Sequence, residues 1–183
     1  CPKDSAAQAA QTEGVTVYGV STLKEVVEVL SGGSDVERFT PSRTPYTITD
    51  RSSFEYDFAN VKGQTFAKRG LEIACSGGHN IILCGPPGAG KSFMAKAFAS
   101  IIPPMSYLES IETSIIYSVA GMIGQGDGLI MERPFRTPHH TASVVSFAGG
   151  GSGAMPGEIS LAHNGVLYLD EVLQYPSSLL DLL

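Results

Sequence analysis

The tightest constraint on this chain is an eight-residue loop, Gly85-Pro86-Pro87-Gly88-Ala89-Gly90-Lys91-Ser92, set between an apolar run and a helix-forming run. It fits the spacing G-x-x-x-x-G-K-[ST], in which consecutive backbone N–H groups close around phosphate oxygens. Gly85, Gly88 and Gly90 remove side chains that would block that approach or forbid positive φ. Lys91 supplies a positive charge for the β- and γ-phosphates. The Ser92 hydroxyl is a candidate Mg²⁺ ligand, and Ser92 opens a helix whose N-terminal dipole end faces the anion. Asn80-Ile81-Ile82-Leu83-Cys84 reads as a strand buried on both faces, and residues 92–101 as a helix stopped by Pro103-Pro104. A glycine-rich turn matching by accident would lack this strand, loop and helix order, so the expectation is an α/β unit that binds ATP with Mg²⁺.

A second motif complements the first. Gly165-Val166-Leu167-Tyr168-Leu169 runs straight into Asp170-Glu171, an apolar strand ending in two acids. In an open parallel sheet the ligand crevice lies at the carboxyl ends of the strands, which would bring Asp170 beside the loop to hold Mg²⁺ together with Ser92. Glu171 is then the candidate base that polarises the attacking water, alongside Lys91 in the catalytic set. The plainer alternative is a strand end followed by solvated acids.

From residue 56 to residue 180 the stretches DFANVKGQ, AKRGLEIA, GGHNIILCGPPGAGKS, YSVAG, ERPFRTPHHTAS and GGGSGAMPGEISLAHNGVLYLDE resemble the magnesium-chelatase-like AAA+ ATPases of the ComM/YifB type. The resemblance implies a P-loop NTPase fold, an AAA+ core with a parallel sheet flanked by helices. It also implies assembly into a homo-oligomeric ring, a hexamer, with ATP between neighbouring subunits, and a preceding Lon-protease-like domain. On this reading residues 1–33 are the tail of that domain, 34–53 a linker, and 54–183 the AAA+ core, incomplete at its C-terminus. Val61, Gly63 and Gln64 would lie near the adenine base, although VKGQ can equally serve only to turn the chain into the next helix. Two departures stand out: Val172-Leu173-Gln174-Tyr175-Pro176 replaces the commoner Leu-Pro-Glu-Phe after the acids, and Met155 stands where many relatives carry a basic residue.

Composition agrees with one domain plus a remnant. With 183 residues, 43% hydrophobic and 16% charged, the chain can bury a core without metal or disulfide help. Twelve Lys and Arg against 18 Asp and Glu give a net charge of −6, which is not the footprint of a dedicated nucleic-acid-binding domain, though a local basic patch stays open. Cys1, Cys75 and Cys84 have neither disulfide-framework nor zinc spacing, so a reduced, cytoplasmic setting without zinc is expected. No run of about 18 apolar residues predicts a membrane span. The start at Cys1 and the apolar finish Leu179-Leu180-Asp181-Leu182-Leu183 read as cut ends whose leucines need partners.

Along the chain, residues 15–20 read as a short strand and Thr22–Leu30 as an amphipathic helix, capped by Ser21 or Thr22 with Glu25 placed for a capping box and closed by Ser31-Gly32-Gly33. A Ser, Thr, Pro and Asp-rich stretch follows from Gly32 to Arg51. Helices are expected over Thr65–Ser76 and Leu108–Val119, a glycine-rich loop over Gly121–Gly128, and an extended segment over Arg133–His140 because each residue before a proline leaves the helical region. Adjacent His139 and His140 should point to opposite faces, which argues against chelation. His163 is expected to pack or to cap. Residues 147–157 are too rich in glycine to hold one shape without contacts; by resemblance they face the ring's pore, making Arg133 and Arg136 candidates for touching DNA.

Three functions remain open on these grounds. The ComM-type resemblance implies a DNA-remodelling motor of natural transformation and recombination, with DNA as partner. The others are a chelatase motor subunit driving Mg²⁺ insertion into a porphyrin, and an ATP-gated scaffold.

Overall fold

The computed structural model describes residues 1–10, 12, 14–33, 36, 38–39, 55–124 and 128–183. Most of the expected linker and part of the 121–128 loop therefore lie outside the described residues.

The N-terminal unit is small. Helix α1 (Lys3–Ala9) precedes strand β1 (Val17–Tyr18), helix α2 (Leu23–Leu30) follows, and β1 pairs antiparallel with β2 (Arg38–Phe39). Thr22 is the cap of α2: its hydroxyl accepts from the Glu25 N–H while the Glu25 carboxylate accepts from the Ser21 N–H at 2.8 Å. Ala6, Ala10 and Val17 form its buried core, with Ala9 and Phe39 packed against them. Because Phe39 pairs and packs here, this unit reaches Phe39, inside the stretch expected to be linker from residue 34.

In the second unit, a 3-10 turn at Phe58–Asn60 leads into α3 (Thr65–Gly77), which ends on left-handed Gly78. Helix α4 (Lys91–Phe98) continues as a 3-10 turn through Ile101 and stops before Pro103. Phe58, Val61, Leu71, Met94 and Ala97 bury one another, so α3 and α4 share a core that fixes the phosphate-loop helix. Helix α5 (Tyr107–Val119) starts at a Ser106/Glu109 capping box. Strand β3 (Phe135–Arg136) follows, then α6 (Val144–Ala148), a hairpin of β4 (Gly149–Gly150) and β5 (Met155–Pro156), α7 (Glu158–Leu161) and strand β6 (Val166–Leu167). A 3-10 turn (Val172–Gln174) and α8 (Ser177–Leu180) complete the order.

Strands β3 and β6 are parallel, Phe135 opposite Val166 and Arg136 opposite Leu167, and the ladder extends through Tyr168 N–H to Arg136 O at 2.8 Å. Gly165 enters this pairing so close to the Pro134 backbone that a Cβ would collide with it. Phe147, Tyr175 and Leu179 form a second core under β6, with Leu167, Leu169 and Leu180 against it. Leu179 thus finds partners, whereas Leu182 and Leu183 stay exposed.

The expected strand at 80–84 departs from its reading. Among the described residues it joins no sheet, and Ile82 is 80% exposed. An apolar strand buried on both faces needs a neighbour on each edge; the described residues offer β3 and β6, and these pair with each other. The glycine-rich segment 147–157 has the contacts that its reading required: Phe147 is fully buried and the β4–β5 hairpin folds onto α6.

Candidate nucleotide-binding site

The phosphate loop sits on α4. Gly88 (φ 76°) and Gly90 (φ 82°) occupy the left-handed region that disfavours other residues, and Gly90 is the residue that caps α4. Gly85 has no such φ, and a Cβ there would meet only ordinary contacts with Ala89 and Lys91. Pro86, Pro87 and Ala89 complete the exposed or half-buried turn. Lys91 Nζ donates to Gly85 O at 2.9 Å and Pro86 O at 2.8 Å, so its ammonium lies across the mouth of the loop.

The acidic strand end meets this loop. Ser92 Oγ donates to Asp170 Oδ2 at 3.1 Å across 78 residues of sequence, joining the α3–α4 core to the β6 core. Glu171 N–H donates to Asp170 Oδ1 at 3.1 Å. The two oxygens of Asp170 are thereby oriented by the loop helix and by its own chain. A hydroxyl and a carboxylate side by side are hard oxygen donors of the kind Mg²⁺ takes, with waters and phosphates filling its other positions; the residues present fit that ion. Glu171 is exposed, in a left-handed conformation at φ 51°, with its carboxylate bonded to Gln174.

Of the three residues expected near adenine, Gln64 reaches the loop, its side-chain amide donating to Ala89 O at 3.4 Å. Gly63 and Gln64 both have positive φ and form the turn into α3. Val61 does not join them. Its side chain is buried in the α3–α4 core, its N–H bonds Phe58 O, and its carbonyl accepts from Lys68.

Several other side chains differ from their sequence reading. Arg133 donates to Pro103 O and Asn164 O, both at 2.6 Å, and to both oxygens of Glu109; Arg136 makes a forked pair with Glu158, both bonds 2.7 Å. Glu158 raises the Arg136 pKa through these bonds. Both guanidinium groups are thus engaged in ion pairs within the fold. His163 neither packs nor caps: Nε2 lies 3.3 Å from Glu112 Oε2. Asn164 first, then His163, holds the Glu112 carboxyl below its usual value. His139 and His140 do not diverge, because the chain turns at Ala142 N–H to His139 O and brings the rings to 4.1 Å. Strand alternation fails where the strand has already ended.

Three contributors escaped the sequence reading. The Tyr168 hydroxyl faces Ser92 and Asp170, and burial raises its pKa. Its place two residues before Asp170, on the same strand face, was the available signal. Tyr175 is buried and donates to Pro138 O at 2.6 Å, tying the segment after the acids to the end of β3. Gln174 bonds the Glu171 carboxylate, and its signal was the departure at 172–176 already noted in the sequence.

The model for magnesium chelatase, subunit ChlI, matches residues 57–183. The chain belongs to this family. Its mixed architecture with a parallel strand pair accords with the AAA+ P-loop type of that family. A protein of Mycobacterium tuberculosis, named only as uncharacterised, is 40% identical over 184 aligned positions, covering 100% of this chain and 35% of its own length. The uncharacterised protein YifB of Escherichia coli is 41% identical over 161 positions, 88% of this chain and 31% of that protein. Competence protein ComM of Haemophilus influenzae is 37% identical over 181 positions, 99% of this chain and 35% of that protein. The chain spans about a third of the length of these curated relatives. Among the described residues no helix is long and apolar enough to cross a membrane.

Proposed function

We propose that this chain forms the MgATP-binding, ATP-hydrolysing core of a ring-shaped AAA+ motor, a hexamer of identical subunits acting on DNA in recombination and natural transformation. The observation that carries the ATPase reading is the Ser92 to Asp170 contact at 3.1 Å, because it unites the two motifs at one point. In this reading the backbone of Gly85 to Gly90 cradles the phosphates. Lys91 leaves the carbonyls of Gly85 and Pro86 to meet the β- and γ-oxygens, and Ser92 with Asp170 would hold the metal ion. A bound Mg²⁺ neutralises the charge that develops on the phosphate oxygens. Glu171 accepts the proton of the attacking water. Gln64, bonded to the loop at Ala89, is the residue best placed of the three to sense the base.

The DNA part of the reading draws on the likeness to competence protein ComM. With Arg133 and Arg136 engaged in ion pairs, the DNA contacts fall to other residues. The name of the family model favours a second reading, a motor subunit for Mg²⁺ insertion into a porphyrin.

Calorimetry with MgATP and phosphate-release assays on the intact protein test both levels. Lys91→Ala should weaken MgATP binding by about 3 kcal/mol, roughly a hundredfold in Kd, from the loss of charge-assisted bonds to the triphosphate. Glu171→Gln should bind ATP but not turn it over. Unchanged affinity of a folded Lys91→Ala variant refutes the phosphate-loop assignment. Turnover stimulated by single-stranded, duplex or branched DNA supports the DNA motor; turnover indifferent to all three refutes it.

A further inference from the structure

Gln174 closes the 3-10 turn behind the two acids, and its side-chain amide donates to Glu171 Oε2. The backbone makes the contact possible. Glu171, at φ 51° and ψ 52°, opens the turn, and Gln174 N–H donates to Glu171 O at 2.8 Å, so the two side chains leave the same face of one tight turn. The next residue anchors that turn: Tyr175 is buried among Phe147 and Leu179 and bonds Pro138 O. A contact between two exposed side chains on a loose loop would be worth little, but here the turn that carries them is fixed at its far end.

We propose that Gln174 is a positioning residue for the catalytic base. Its amide fixes the rotamer of Glu171 and occupies Oε2, leaving Oε1 to accept from the attacking water. The neighbouring acid is held differently, Asp170 by the Ser92 hydroxyl and by the Glu171 N–H. Separate anchors keep the adjacent carboxylates in separate roles, one toward the metal and one toward water. The contact needs a donor at this place, and the Gln174 amide supplies one to the carboxylate. Val172 and Leu173, the other side chains of the turn, have no donor to offer. This inference rests on Glu171 being the base in the reaction proposed above.

The test is steady-state ATP hydrolysis by the intact protein and its Gln174→Ala and Glu171→Gln variants. Misorienting a base by a fraction of an ångström costs rate without binding, so Gln174→Ala should lower kcat about tenfold with KM for ATP unchanged. If Gln174→Ala keeps the parent kcat while Glu171→Gln abolishes turnover, the inference fails and the base assignment stands. If Glu171→Gln turns over at the parent rate, the base lies elsewhere and both fall. A measurement independent of turnover uses ¹⁵N-glutamine labelling. The Gln174 side-chain amide signals should move toward those of free glutamine amides in a Glu171→Ala variant, and signals that stay in place overturn the contact itself.

Discussion

Removing Arg133 should cost about 3 kcal/mol of folding stability, and the contacts of its side chain set that figure. Its guanidinium donates to Pro103 O and Asn164 O at 2.6 Å each, to Glu109 Oε1 and Oε2 at 3.0 and 3.2 Å, and at 3.4 Å to Pro104 O. The arginine side chain is only 19% exposed and that of Glu109 33%. In Arg133→Ala, Glu109 keeps the Ser106 N–H and gains water, so little is lost there. The carbonyls of Pro103 and Asn164 lose charged donors worth about 1.5–3 kcal/mol each. Alanine avoids the loss of about 1 kcal/mol or more of rotamer entropy that arginine suffers on folding, which sets the net near the lower end of that sum. For a domain of this size the loss corresponds to a fall of about 6–12 °C in Tm. Arg133→Lys should recover less than half, because an ammonium cannot span carbonyls that lie on opposite sides of a planar fork. Urea unfolding followed by circular dichroism reads the difference. A loss below about 1 kcal/mol combined with weakened DNA binding would refute the clamp and return Arg133 to the role of a phosphate contact.

Two further outcomes follow from the same contacts. Tyr175→Phe keeps the buried ring but strips Pro138 O of its donor; it should cost about 1–2 kcal/mol in urea unfolding, and a midpoint equal to the parent's would show that water replaces the hydroxyl at no cost. The Glu109 carboxyl is held below its ordinary value of 4.5, first by the Ser106 N–H and then by the Ser106 hydroxyl and Arg133, against burial that pushes it up. The folded chain therefore gives up this proton at a lower pH than the unfolded chain, so the stabilisation is complete above the ordinary value and drains as pH falls through the folded one. As pH falls below the ordinary value of 4.5 the parent should lose stability more steeply than Glu109→Gln, and equal slopes would assign the acid loss to other carboxylates.

How much of this was legible depends on what each residue reports. The backbone turn of the 85–92 loop was legible in part because its glycines specify backbone angles, which are local: Gly88 and Gly90 have the positive φ that their spacing called for, and Gly85 does not. Helices with local punctuation were legible to within a residue or two; the Ser106/Glu109 box and the Pro103-Pro104 stop are written in adjacent positions. Burial was not local. Ile81 and Ile82 announce a preference for an apolar setting, yet composition does not say which strand supplies it, and Ile82 stands exposed. Helix α5 inverts the usual rule outright. Its buried face is Ser110, Thr113 and Ser114, while Leu108, Ile115 and Val119 face outward. The hydroxyls are drawn inside because they satisfy backbone elsewhere: Ser110 donates to Ile130 O at 2.6 Å and Ser114 accepts from Ile130 N–H at 2.8 Å. Nothing within thirteen residues of helix encodes the existence of residue 130.

The same distinction separates the parts of the site. A motif such as Asp170-Glu171 names groups proposed to meet a ligand, and their types follow from the chemistry of that ligand. Arg133, Arg136 and Gln174 are fixed by the chemistry of their neighbours, each depending on a partner that only the fold brings near. A basic residue in a motif-rich stretch therefore carries two readings until its carboxylates are located. For Arg136 the forked pair with Glu158 supplies the structural one. Two bonds of 2.7 Å at a side chain 26% exposed leave the guanidinium to tie β3 to α7, and that tie holds the end of β3 in register beside the strand that delivers Asp170.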